Sequence, residues 1–229
     1  MLKAVLLDID GTLVRSNDEH AHAWSDALAR FGYDVAWTQI RRWIGMGGDK
    51  ILPRVDEALR DDREPGSSIS RLRGEIFLER YAPRLQPQPG ARALLEEFRA
   101  RSLLRVAATS AKRDELGAIL HAGAIEDCID EATTSDEAAR SKPDADIIAA
   151  ALTKVRLLQD EAIYLGDTPY DVIAAHRAGT MVVALRCGGW DDADLGEADA
   201  IYDTPAELLA RLDASPIGRA QRHDAAGFA

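Results

Sequence analysis

The chain has 229 residues, with 28 Lys and Arg against 39 Asp and Glu, so its formal charge is -11. That length holds one large domain or a domain carrying an insertion, and the apolar share is enough for a buried core. The acidic balance excludes a nucleic-acid binder, which needs a basic footprint. No apolar run approaches the ~20 residues of a membrane span, so no membrane partner is expected.

The first apolar run, Lys3–Leu7, reads as a strand, and Asp8 follows it directly. From Asp18 the pattern turns helical, with helices predicted at Asp18–Phe31, Trp37–Ile44, Asp49–Leu59 and Ile69–Leu85 and no strand among them. A crossover this long is no simple connection and reads as an inserted helical unit. Its exits, Val14-Arg15-Ser16-Asn17 and Gln86-Pro87-Gln88-Pro89-Gly90, read as hinges. Beyond them strand and helix alternate. Helices are predicted at Ala91–Arg101, Arg113–Ala122, Ala145–Leu152 and Tyr170–Ala178. Strands are predicted at Leu104–Ala108, Cys128–Ala132, Ala162–Leu165, Met181–Leu185 and Ala200–Tyr202. Gly123 and Gly179 follow helices, where left-handed caps are expected. The polar stretch after Ser215 reads as a loosely ordered tail.

Continuous apolar strands alternating with amphipathic helices predict an α/β fold, a Rossmann-like doubly wound parallel sheet with an inserted α-helical cap domain. The expected division is residues 1–15 and 89–215 for the core, 16–88 for the cap and 216–229 for the tail. The charge follows this division. Residues 15–88 hold 12 basic and 12 acidic side chains, so the whole excess of acid lies outside the insertion. A solvated acidic surface accounts for most of it, but carboxylates gathered around a cation belong to the same pattern. Two lone cysteines, Cys128 and Cys187, form no CxxC pair and no disulfide framework, and with no signal segment at the start a cytoplasmic location is expected.

Chemistry is expected where strands end, because ligands of open α/β sheets gather at the carboxyl edge. Asp8-Ile9-Asp10-Gly11-Thr12 leaves the first strand with two carboxylates two residues apart. Such a pair repels unless a cation or a shared proton intervenes, although an Asp-Gly turn leaving a buried strand has the same local pattern. A second pair, Asp167 and Asp171, follows the run Ile163–Gly166. Asp171 falls in a first helical turn, where any acid is favoured, whereas Asp167 precedes the helix at the sheet edge. Together these strand ends offer hard oxygen ligands suited to Mg²⁺. Thr109-Ser110 at another strand end offers phosphate donors, and Lys142 before Pro143 can neutralise phosphate and carboxylate alike.

In this order the motifs resemble the four of the haloacid dehalogenase-like hydrolases: Asp8-x-Asp10-Gly11-Thr12, Thr109-Ser110, Lys142-Pro143 and Gly166-Asp167-x-x-x-Asp171. The likeness runs from about residue 2 to 213, and the helical insertion is similar to the caps of phosphoglycolate phosphatases and β-phosphoglucomutases. It implies that Asp8 is the nucleophile and forms an aspartyl-phosphate, with Asp10 as acid and then base. It further implies that Mg²⁺ is held by Asp8, the Asp10 carbonyl and Asp167, with Asp171 behind. Thr109 and Ser110 would bind the phosphoryl group, and Lys142 would offset its charge. Asp10 separates this chain from the dehalogenase and phosphonate-cleaving branches, which lack an aspartate there. Met46-Gly47-Gly48-Asp49-Lys50 has only a faint likeness to the Schiff-base segment of the latter, and Lys50 reads more simply as a helix-start lysine.

Within the cap, the turn Ile44-Gly45-Met46-Gly47-Gly48 matches the family's specificity loop, and Gly47 is the expected backbone contact to substrate. The mutases place an arginine after this turn, where this chain has Gly48 or Asp49. His20 and Trp24 point the other way, since mutases carry a similar pair whose histidine helps gate the second aspartate. Cap packing is the alternative for both. Arg71, Arg73 and Arg80 can reach a second anionic group or simply face solvent. The expected activity is Mg²⁺-dependent hydrolysis of a small phosphorylated metabolite, most like phosphoglycolate phosphatase, with a sugar-phosphate mutase as the alternative. A catalytically silent module would lack one of the core groups, all of which are present. Monomer and homodimer both remain open.

Overall fold

The computed structural model describes residues 1–225. Its strands are β1 (Ala4–Leu7), β2 (Val14–Arg15), β3 (Gln86–Pro87), β4 (Leu104–Ala108), β5 (Glu131–Thr133), β6 (Ala162–Gly166), β7 (Met181–Leu185) and β8 (Ala200–Tyr202). Six of them form one sheet in the order β5-β4-β1-β6-β7-β8, parallel throughout. The helices that build the site are α1 (Asn17–Arg30), α2 (Trp37–Arg41), α3 (Gly48–Val55), α4 (Gly66–Ile76), α5 (Ala91–Ala100), α6 (Arg113–Ala122), α7 (Asp146–Val155) and α8 (Pro169–Ala178).

Both faces of the sheet are covered, which is why its central strands are apolar without alternation. The two-residue period sends Val5, Leu7, Ile163, Leu165, Val183 and Leu185 into one core, shared with the cap residues Trp24, Ile40, Ile51 and Phe77. Ala4, Leu6, Ala162, Tyr164, Val182 and Ala184 enter the other, against α7 and α8. Each fully buried Leu or Val stabilises the fold by about 1.5–3 kcal/mol. A polar substitution in β1 therefore damages a core whichever face it enters.

The helical insertion leaves and returns through paired backbone. β2 and β3 form an antiparallel ribbon, Val14 opposite Pro87 and Arg15 opposite Gln86. The Gln88 N–H donates to the Leu13 carbonyl at 2.8 Å and its side-chain amide to the Gly11 carbonyl at 2.8 Å. Two residues of pairing carry too little alternation to be read as a strand, so the sequence gives only hinges there.

Other differences are local. The fourth cap helix begins at Gly66 and, after Ile76, continues through a wider π-type turn at Phe77–Tyr81. The strand expected at Cys128–Ala132 is β5, shifted to Glu131–Thr133 behind a 3₁₀ turn at Glu126–Cys128. Gly179 takes the left-handed cap at φ 73°. Gly123 does not: it keeps a helical φ of -74° and Ala124 turns left-handed at φ 51°. Gly123 is needed for closeness, because a Cβ there would meet Val14 Cγ2 at 2.7 Å. The expected loose tail is, over Pro216–Ala225, a helix anchored by the fully buried Ile217. The remainder of that stretch, 226–229, lies outside the described residues.

Candidate active site

Parallel neighbours in register end at one edge, so the residues just past β1, β4 and β6 converge there. Leu7 pairs with both Ala107 and Leu165, and Asp8, Thr109 and Asp167 follow within two residues of these positions. The Asp8 N–H donates to the Leu165 carbonyl at 2.9 Å, extending the ladder by one step. Gly11 turns the chain away at φ +80°, and a Cβ there would lie 2.3 Å from an Asp167 oxygen. Only glycine allows this turn to press against the second acidic strand end.

Asp8 is buried, and its two oxygens have different partners. Oδ1 lies 2.5 Å from the Lys142 ammonium, and Oδ2 accepts from the Thr12 hydroxyl at 3.2 Å. Lys142 is itself fully buried and also reaches Asp171 Oδ1 at 2.7 Å. Burial opposes its charge, but Asp171 and Asp8 outweigh that and hold its pKa well above the ordinary value. Asp171 is fixed in turn by the Tyr164 hydroxyl at 3.2 Å and by the Thr168 N–H and hydroxyl at 3.0 and 2.7 Å. Thr168 caps α8 and accepts from the Asp171 N–H at 3.2 Å, so one capping box starts the helix and aims the carboxylate at Lys142.

Asp167 accepts from the Thr12 hydroxyl at 2.7 Å and from the Asn17 amide at 2.9 Å. Burial and Asp171 push its pKa up to about 7, against the lowering effect of Thr12, Asn17 and Arg41. Burial raises Asp8 as well, and the neighbouring Asp171, Asp167 and Asp10 add to it against Lys142. Oxygens of Asp8, Asp167 and Asp171 lie within 4.8 Å of one another. Three buried carboxylates against one ammonium leave negative charge uncompensated, and a divalent cation among hard oxygens is the chemistry that fits.

Asp10 faces the cap. Its Oδ1 accepts from the Ser16 hydroxyl at 2.5 Å and lies 2.9 Å from His20 Nε2. Burial would raise its pKa, but His20, Ser16 and Lys142 together bring it below the ordinary value. His20 stacks on Phe77 with ring centroids 3.9 Å apart, which fixes the ring that meets Asp10. Thr109 is buried, and its hydroxyl oxygen accepts from the Ala111 N–H at 3.1 Å, leaving the hydroxyl proton for another acceptor.

Ser110 donates to the Gly45 carbonyl at 3.3 Å, so its hydroxyl joins core to cap. The glycine turn is closed on the core in the same way. The Gly47 N–H donates to the Ser141 hydroxyl at 3.0 Å, Ser141 bonds Asp49, and Lys50 pairs with Asp144 at 2.8 Å. Between cap and core lies a cavity of about 610 Å³, lined by Asp8, Asp10, His20, Thr109, Ser110 and Gly47 among others. Lys142, Asp167 and Asp171 lie outside that lining.

The model of the haloacid dehalogenase-like hydrolase family matches residues 5–185. The chain belongs to that family. A phosphoglycolate phosphatase of Rhodospirillum rubrum is 32% identical over 91% of this hydrolase and 90% of its own length. The crystal structure of a hydrolase from Pseudomonas syringae is 31% identical, with a TM-score of 0.85 over 93% of this chain and 98% of that one. The β-phosphoglucomutase structure of Clostridium difficile shares the fold, with a TM-score of 0.81 at 16% identity over 99% and 100% of the two chains.

The residues of this hydrolase that sequence reasoning left without a role are those that hold the acids. Thr12 bridges Asp8 and Asp167, and Asn17 binds Asp167 from the cap side. Thr168-x-x-Asp171 is a capping-box spacing and was readable as one. Nothing in the spacing marks Asn17. The cap arginines divide: Arg71 and Arg80 are exposed, paired with Glu75 and Asp26, whereas Arg73 is buried against Glu115.

Proposed function

We propose that this hydrolase is a Mg²⁺-dependent phosphatase of small phosphomonoesters that works through an aspartyl-phosphate on Asp8. The observation that carries the reading is the Asp8 carboxylate at the cavity, backed by the buried Lys142 and flanked by Asp10. The 32% identical phosphoglycolate phosphatase supports the reaction class. Residues 16–88 act as the cap over 1–15 and 89–215.

An Asp8 oxygen attacks phosphorus, an oxygen–phosphorus bond forms, and the ester oxygen leaves. Lys142 compensates the charge that Asp8 and the phosphoryl group bring together, and the Thr109 hydroxyl donates to a phosphoryl oxygen, with the Ser110 backbone beside it. Gly47 lines the cavity beside the rest of the substrate, with its N–H on the Ser141 hydroxyl and its carbonyl accepting from the Lys50 and Ile51 N–H groups. Asp10 protonates the leaving oxygen, then takes a proton from the water that attacks the aspartyl-phosphate and releases inorganic phosphate. Its lowered pKa leaves it ionised in the free protein. An arriving phosphate dianion raises its proton affinity, and His20 at 2.9 Å orients the carboxylate. Asp8, the Asp10 carbonyl and Asp167 would hold Mg²⁺, with Asp171 behind them. The ion would supply positive charge against the transferring phosphoryl group.

The contact of His20 with Asp10 favours a second reading, a sugar-phosphate mutase that returns the phosphoryl group to its substrate. The missing arginine after the glycine turn weighs against it. Phosphate release with Mg²⁺ from a panel including 2-phosphoglycolate and hexose phosphates, with Asp8→Asn as blank, separates the two. Release from one ester, absent in the blank, supports the phosphatase. Isomerisation of a hexose phosphate primed by a bisphosphate, without release, supports the mutase.

A further inference from the structure

The loop after β7 lies between the cap and Asp167. It is a 3₁₀ turn at Arg186–Gly188, followed by Gly189 at φ 87°. Gly188 backs directly onto the acid: a Cβ at 188 would fall 1.7 Å from Asp167 Oδ2 and 2.4 Å from its Cγ. Gly11 approaches the same oxygen, where a Cβ would lie 2.3 Å away. The fully buried Asp167 carboxylate is thus confined by two stretches of glycine backbone, while Thr12 bonds its Oδ1 and Asn17 its Oδ2. The position of the Gly188 wall sets how much freedom that carboxylate has.

The wall is held from the cap. The Gly188 carbonyl accepts from the Arg41 guanidinium at the end of α2, and from the Asn17 amide at the start of α1 at 3.4 Å. The Cys187 carbonyl accepts from the Gln88 amide at 3.3 Å. Asn17 and Gln88 stand in the two connections through which the chain enters and leaves the cap. Residues at a pivot move little when a domain swings, whereas Arg41, on the second cap helix, moves with the cap. Arg41 is therefore the contact that opening would break. Asp18 on α1 accepts from its Nε at 2.6 Å and aims the fork, and Gly189 leaves it room, since a Cβ there would lie 2.9 Å from Nη2. Arg41 does not line the cavity, so it acts on no substrate directly. The next residue, Arg42, grips the same loop further along. Its guanidinium lies 3.9 Å over the Trp190 ring and 3.2 Å from Asp194, not against Gly188.

We propose that Arg41 is a positioning residue for the Mg²⁺ site: by holding the Gly188 carbonyl it keeps Asp167 oriented for the ion, so that cap closure and Mg²⁺ binding favour each other. The inference rests on the Mg²⁺ reading of the acid cluster and adds a route from the cap to one of its ligands. Charge alone would make Arg41 an opponent of a bound cation, so positioning and electrostatics predict opposite signs when it is removed. Linkage makes the effect mutual: whatever factor closure adds to ion affinity, the ion adds to closure.

The test is calorimetric titration of the whole, substrate-free protein with MgCl₂. Arg41→Met should raise the Mg²⁺ Kd by about tenfold or more, the scale on which partners of metal ligands act. Arg42→Met removes the same charge and another hold on the same loop, and should leave Kd within about twofold. Arg41→Lys keeps the charge but cannot bond Asp18 and Gly188 together, so it should weaken binding in the same direction and decides the matter if the Met variant does not fold. Hydrogen exchange of the Gly47 amide, bonded across the cap–core boundary to Ser141, reads closure. Saturating Mg²⁺ should slow it by up to about tenfold in the wild type and hardly at all in Arg41→Met. An unchanged or lower Kd in both Arg41 variants, an equal weakening in Arg42→Met, or Gly47 exchange indifferent to Mg²⁺ in the wild type would overturn the inference and leave the phosphatase standing. Failure of the wild type to bind Mg²⁺ would overturn the Mg²⁺ reading itself.

Discussion

The two ends of the cavity are built on different principles. At the sheet edge three of the carboxylates are fixed by a neighbour in the same motif: Asp8 by Thr12, Asp171 by Thr168, Asp10 by Ser16. At the cap wall the groups come from helices about 40 residues apart, with Arg73 on α4 meeting Glu115 on α6 only because the cap packs there. The sheet edge concentrates like charge and calls for a cation. The cap wall balances its charge internally and leaves unpartnered hydrogen-bonding groups. One end gathers carboxylates around a single lysine, and the other pairs its arginine and glutamate across the cap–core boundary.

Substitutions should separate the two ends. The largest effect is expected for Asp8→Asn, which should cut phosphate release by at least about 10⁴-fold while the protein unfolds at the same or higher temperature, since a buried acid among acids is neutralised. A melting temperature well below the wild type would contradict that account of the cluster. Next comes Lys142→Met, which leaves Asp8 and Asp171 without their common cation. Denaturant titration should show a loss of about 3–5 kcal/mol, and Mg²⁺ should restore part of it.

Arg73→Met strands a buried Glu115 and should also cost about 3–5 kcal/mol, whereas adding Glu115→Leu should recover most of it in a double-mutant cycle. Additive losses would mean that the two side chains are not coupled. Smaller again is the effect of pH. Asp167 has a folded pKa of about 7, raised from 3.8, so in metal-free protein its contribution favours folding at low pH and is lost as pH rises through about 7. Asp8 is shifted in the same direction. The metal-free melting temperature should therefore climb as pH falls from 8 toward 5, and Mg²⁺ affinity should fall over the same interval by up to about tenfold per pH unit. A melting temperature that drops on acidification above pH 5 would reverse the sign assigned to the cluster. Asp10, shifted downward, loses its contribution only below its unfolded pKa and lies outside that window. The smallest effect is expected for Lys50→Ala, a partly exposed pair with Asp144 that contributes no more than about 1 kcal/mol.

The sheet edge was legible in the sequence for the reason that makes it local. Asp8, Asp10, Asp167 and Lys142 stand just beyond apolar strands or before a proline turn, and parallel pairing brings consecutive strand ends together without further information. The strands themselves were readable because continuous burial leaves runs such as Ala4–Leu7. What stayed hidden depends on contacts between distant segments. Arg73 reads as one arginine among three on a cap helix, and its burial appears only when α4 packs on α6. Asn17 sits in a hinge by composition, yet its amide reaches Asp167, 150 residues away. The β2–β3 ribbon is two residues of pairing, too short to carry a period.

Covalent phosphorylation of Asp8 is the central step of the proposed reaction. Turnover of p-nitrophenyl phosphate with Mg²⁺ should be quenched in acid within milliseconds and the peptide containing Asp8 examined by mass spectrometry. A phosphoryl adduct on Asp8 that disappears when substrate is exhausted, and never forms in Asp8→Asn, is the expected result. Full turnover by Asp8→Asn, with no adduct on the wild-type protein, would contradict it.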